Sequence, residues 1–134
     1  MRCKPVQFFK YWFPPIIYAA LIFFLSSRSS IDIGPDIPNI DKLYHALIYF
    51  GFAVLLWRAF YYASPAPFKK RAILFALILT VLFGISDEWH QLHVAFRHAD
   101  FFDLLFDSIG ASLALLSVSW WNNGQREEEK YTGQ

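Results

Sequence analysis

Four stretches of this chain are apolar enough to cross a lipid bilayer, and no other feature limits its fold as much. A spanning helix needs about 20 mostly apolar residues. Residues 9–25, 43–62, 72–87 and 101–121 approach or meet that length. Lipid offers no partner to a bare backbone, so helices that satisfy their own N–H and C=O groups are the expected spanning elements. The predicted fold is all-α: a four-helix transmembrane bundle, one domain over residues 1–134, with a short cap segment on its outer face. Pro14 and Pro15 fall near the start of the first stretch, where a helix has N–H groups without partners anyway.

Composition supports this reading. The chain is 56% hydrophobic and only 17% charged, against about 25% charged in ordinary soluble domains. Mean hydropathy is +0.32. These values exclude a disordered tail, a nucleic-acid-binding module and an ordinary soluble enzyme. A net charge of +1 gives no steering toward polyanions. The expected partner is the lipid bilayer, with no nucleic acid. A lone Cys3 excludes an internal disulfide and a cysteine-based zinc cluster.

Charge predicts the orientation. With the N-terminus in the cytoplasm, nine Lys and Arg fall inside, against Arg28, Lys42 and Arg97 outside. The positive-inside rule then puts both termini in the cytoplasm, and Trp12, Trp57, Trp120 and Trp121 fall near the inner interface. The first helix is expected to be an uncleaved anchor, because Ser26-Ser27-Arg28 is no small-x-small cleavage site. Residues 28–40 read as a loop and 63–68 as a short turn. Residues 88–100 read as the outer cap, and the polar tail from Asn122 as frayed.

Polar residues crowd one side. All four histidines and eight of the eleven acids fall in the predicted outer half. Asp41, His45 and Tyr49 are spaced four apart and line one helix face, beside Lys42. Asp87, Glu88 and Gln91 gather at the end of the third helix. Asp100, Asp103, Asp107 and Gly110 share a face of the fourth. Asp107 would lie roughly 9 Å below Phe101, taking about 1.5 Å per residue. A carboxylate at such depth costs about 2.5–3.5 kcal/mol, so Asp107 should face the bundle, with Lys42, His45 or Arg97 as partner. Gly110 and Ala114 on that face permit close helix approach.

Each residue also has a plainer reading. Asp41 can cap its helix while Lys42 snorkels to the headgroups. Asp87 and Glu88 can be interfacial charges, and Arg97 a structural partner of Asp103 or Asp107. His90, His93, His98 and Asp100 have residue types suited to zinc. The chain lacks an HExxH pattern, and no metal or other cofactor is expected. A serine-based hydrolase lacks its strand–turn–helix elbow. Lys42, His45 and Arg97 do not have acid-phosphatase spacing.

The ordered set Asp41-Lys42-x-x-His45-x-x-x-Tyr49, Asp87-Glu88-x-x-Gln91, then Arg97, Asp103, Asp107 and Gly110 resembles the VanZ-like family of small bacterial membrane proteins. Ser26 and Ser27 match the serine-rich end of that family's first helix. Two places differ: Ala95-Phe96 stands where the family has Pro-Gly, and Asp107 where it has Asn. The resemblance implies a multi-pass protein of the bacterial inner membrane, in a family whose founding member is associated with reduced sensitivity to the antibiotic teicoplanin. It implies no settled reaction.

Three functions are compatible with these residues. The first is binding or modifying an amphiphilic envelope molecule at an outer-side polar cleft: a lipid headgroup, a lipid-linked wall precursor or a lipophilic antibiotic. Here His45, Glu88, Arg97 and Asp103 are the catalytic candidates. Asp41, Lys42, Tyr49, Asp87, Gln91 and Asp107 are the ligand-binding candidates. The second is a structural or accessory membrane subunit whose polar cluster only locks the helices. The third is ion-coupled transport by an oligomer.

Overall fold

A computed structural model of the chain describes residues 5–27, 40–94 and 100–132. Among them helices and the short turns between them account for every residue, with no strand. The elements are α1 (Pro5–Ser26), α2 (Ile40–Ala63), the short α3 (Ala66–Lys70), α4 (Ala72–Gln91) and α5 (Phe101–Thr132). Four of these helices are long and apolar enough to span a membrane, and no more than a third of any span is buried inside the protein. The exposed remainder is rich in Phe, Leu and Ile, including Phe13, Ile16, Leu82 and Leu113. Such a surface suits lipid rather than water.

The helices run further than the apolar stretches predict. Hydropathy falls at the membrane interface, but the i→i−4 ladder continues wherever the next residues tolerate it. α4 therefore goes on through Glu88–Gln91, where Gln91 Nε2 donates to Asp87 Oδ2 one turn back at 3.4 Å. The tail expected to fray is helical to Thr132. Residues 125–130 are Gln, Arg, Glu and Lys, all good helix formers that extend an existing helix without a new nucleus. α3 occupies the expected turn at 63–68, started by Pro65 and with proline in its first turn. α1 begins at Pro5, so Pro14 and Pro15 are interior. The carbonyls they leave without helix partners belong to Lys10 and Tyr11, in the second turn of the helix. Of the expected cap, 88–91 belongs to α4, 92–94 are turns, and 95–99 lie outside the described residues.

α2 is the hub and packs against α1, α4 and α5. Small residues make this possible: Ala53, Ala59, Ala76, Ala111 and Ala114 are fully buried. Without a hydrophobic drive between helices in lipid, close backbone approach supplies the attraction. The closest approach is at Gly110, where a Cβ would stand 2.8 Å from the Ala46 carbonyl carbon and 2.9 Å from Ala46 Cα. At one end the core is aromatic, with Trp12 edge-on to Phe60 at 5.0 Å and Phe60 near Phe75 at 5.7 Å. Lys69, Lys70 and Arg71 surround that end. The other end, where α1 and α4 finish and α2 and α5 begin, is polar.

Candidate functional site

The polar end follows from the parallel register of α2 and α5, which both begin there. α2 enters with Lys42 and, three residues deeper, His45. α5 enters alongside with Asp103 and, four residues deeper, Asp107. Lysine and histidine therefore meet carboxylates at two successive depths. Lys42 Nζ donates to Asp103 Oδ1 at 2.9 Å and to Asp100 Oδ2 at 2.9 Å, and lies 5.9 Å from the Phe102 ring centroid. His45 Nδ1 and Asp107 Oδ1 are hydrogen-bonded at 3.0 Å, with His45 Nε2 3.7 Å from Asp103 Oδ2. Asp107 is 1% exposed, the most deeply buried of the charged residues among those described. Its partner among the described residues is His45, one of the three cations expected from the sequence.

α4 supplies the third wall. Glu88 is buried, and its Oε2 accepts the Asp100 backbone N–H at 3.0 Å. That bond joins the end of α4 to the start of α5. Asp100 also caps α5, its Oδ1 accepting the Phe102 N–H at 2.8 Å. The Lys42 ammonium holds the exposed Asp100 carboxyl below the usual carboxylate range. Asp87 and Gln91 are buried beside Glu88. Gly84, one turn before Glu88, gives Asp107 room: a Cβ there would stand 3.3 Å from Asp107 Oδ2 and 3.4 Å from Tyr49 Cε1.

Five buried side-chain oxygens have no hydrogen-bond partner among the described residues, and all belong to this end: Ser26 Oγ, Tyr49 OH, Asp87 Oδ1, Glu88 Oε1 and Asp107 Oδ2. The Ser26 and Tyr49 hydroxyls lie toward Asp87 without reaching hydrogen-bond geometry.

Residues 6–122 match the VanZ/LLP1 family. The chain belongs to the VanZ/LLP1 family. A fission-yeast relative (Schizosaccharomyces pombe), described as an uncharacterized protein, is 31% identical over 80 residues, covering 60% of this chain and 47% of its own length. The chain thus spans about half the length of the curated relative it matches. No solved structure matches it.

On this VanZ/LLP1 chain, the structure brings together Lys42, His45, Glu88, Asp103 and Asp107, with Tyr49, Asp87 and Gln91 buried around them. Asp41 stands apart: its side chain is 61% exposed and reaches only Lys42, at 3.6 Å. Arg97 lies outside the described residues. Of the histidines with residue types suited to zinc, the two described ones face different partners. His90 Nε2 is 2.9 Å from Ser27 Oγ and its ring stacks on Phe23. His93 Nδ1 pairs with the Trp89 carbonyl, and His98 lies outside the described residues. Two contributors escaped sequence reasoning. Asp100 is neither a catalytic nor a ligand-binding candidate in the sequence, although its spacing from Asp103 and Asp107 already put it on their face. Gly84 carried a weaker signal, a small residue one turn from Glu88.

Proposed function

We propose that this protein binds, or chemically modifies, an amphiphilic molecule of the cell envelope whose polar head enters the polar end of the bundle. The head is that of a lipid, a lipid-linked wall precursor or a lipophilic antibiotic. The carrying observation is the gathering of buried polar side chains from four helices at one end, five of whose oxygens have no partner among the described residues. Leaving a buried polar group unsatisfied costs about 1–3 kcal/mol. A bundle built only to hold together gains nothing by collecting five at one end, whereas a binding cleft uses them on its ligand. Lys42, partly exposed at the rim, offers a charge-assisted donor. His45, between two carboxylates, is suited to exchange a proton with the head, as is Glu88.

The orientation that goes with this reading has both termini in the cytoplasm of a bacterial cell and the cleft in the outer leaflet. It rests on the nine-to-three charge asymmetry and on Trp120 and Trp121, exposed on the half of α5 remote from the cleft. In a Cys3→Ser background, an impermeant maleimide applied to intact cells is expected to label Ser30→Cys and spare Gly124→Cys. The opposite pattern inverts the topology.

Mass spectrometry of the purified protein tests the binding itself. Wild type should retain a defined amphiphile that Lys42→Ala and Arg97→Ala release. An accessory, purely structural role is favoured by one observation, the doubly paired Lys42. It predicts folded wild type and variants with no retained molecule.

A further inference from the structure

We propose that His45, Glu88 and Asp107 form a divalent-cation site between α2, α4 and α5. One donor atom from each comes within 4.8 Å of the others. The three residues come from three different helices, so no local turn or cap explains their meeting. Two of them, Glu88 and Asp107, are more than nine-tenths buried and each keeps one oxygen without a partner. Asp107 Oδ2 faces α4 at Gly84, one turn from Glu88.

The distances suit an ion. Zinc-type bonds to nitrogen and carboxylate oxygen are about 2.0–2.2 Å, so two donors at the tetrahedral angle stand about 3.3–3.6 Å apart. His45 Nδ1 and Asp107 Oδ1, 3.0 Å apart across a hydrogen bond, need to spread only slightly to take an ion in place of the shared hydrogen. The surroundings also match what metal ligands need, since partners on the far atoms fix donor orientation. Glu88 Oε2 is held by the Asp100 N–H at 3.0 Å. His45 Nε2 is directed at Asp103 Oδ2 at 3.7 Å. Asp103 is in turn held by Lys42.

Charge gives the same answer. Lys42 answers Asp100 and Asp103, leaving Glu88 and Asp107 with only an imidazole among the described residues. Two carboxylates and a neutral imidazole match a doubly charged ion. One nitrogen and two oxygens favour zinc or manganese over magnesium or calcium, which prefer all-oxygen shells. Three protein donors leave a coordination position, and a headgroup oxygen of the proposed amphiphile is suited to fill it. The inference rests on the preceding reading for that last ligand alone.

The full chain, stripped with a chelator in mild detergent, is titrated with Mn²⁺ followed by the loss of the free-ion EPR signal. Zn²⁺ is titrated against a chromophoric chelator. One ion per chain is expected to bind saturably. The near-isosteric Glu88→Gln and Asp107→Asn, and also His45→Ala, should each weaken binding at least tenfold, with helicity checked by circular dichroism. His93→Ala, an exposed control, should bind as wild type. Lack of saturable binding by wild type overturns the site, as does undiminished binding by Glu88→Gln and Asp107→Asn together. Amphiphile retention is read separately. A retained amphiphile with no bound ion sinks the cation site alone, and a bound ion with no amphiphile sinks the earlier reading alone.

Discussion

Gly110→Ala is expected to be the most damaging single-methyl addition in this protein. The new Cβ would overlap the Ala46 carbonyl group, with the carbonyl carbon at 2.8 Å and Cα at 2.9 Å. These are backbone atoms of α2, so no rotamer change relieves the clash and the two helices must separate. Overpacking a tight core costs about 1–3 kcal/mol when side chains can yield. Here the cost should exceed about 3 kcal/mol, because separating α2 from α5 also stretches the Lys42–Asp103 and His45–Asp107 pairs. Thermal unfolding in detergent, followed by circular dichroism, measures it. Gly124→Ala, where a Cβ meets nothing within 4 Å, is the control and should leave stability unchanged or slightly higher. Equal behaviour of the two variants would mean that α2 and α5 do not pack at Gly110.

Lys42→Ala is the second large effect. It leaves Asp103, whose side chain is 12% exposed, and the half-exposed Asp100 without their cation. Breaking a buried ion pair by removing one member costs about 3–5 kcal/mol. Exposure of Asp100 and solvent at the rim reduce this to about 2–3 kcal/mol. Lys42→Arg should retain most of the stability. The stranded charge, rather than the missing side chain, carries the loss. Lys42→Ala combined with Asp103→Asn should therefore recover a substantial part of it in the same unfolding measurement. A double variant as unstable as the sum of its parts would show that Lys42 acts by packing its stem.

The spans were legible because apolar length is a property of the residues themselves. The polar face of α5 was legible too, since spacings of three and four put Asp100, Asp103 and Asp107 on one stripe. The identity of their partners was not. Lys42 at a helix start looks like a residue that snorkels to headgroups, and only the register of α2 against α5 shows that Asp103 lies within its reach. The same register gives Asp107 to His45. Asp41 shows the converse: its spacing from His45 and Tyr49 suggests one shared face, but at the first turn that face has already left the bundle. Helix ends were misread for one physical reason. Hydropathy records where lipid stops, while backbone hydrogen bonding records where the chain stops being helical. On α5 the apolar stretch ends at residue 121 and the helix at Thr132, about 16 Å further on at about 1.5 Å per residue.

The pairing of α2 with α5 also sets an order of biogenesis. A ribosome makes α2 before α5, so Lys42 and His45 are in the membrane when Asp103 and Asp107 leave the translocon. Presented alone, α5 would carry two carboxylates into hydrocarbon at about 2.5–3.5 kcal/mol each near the bilayer centre and less near the interface. Presented to α2, the same two groups meet the Lys42 ammonium and the His45 ring on arrival. The earlier helix thus serves as the docking partner for the later one, and α5 severed from the preceding chain loses the neutralising half of its own insertion signal.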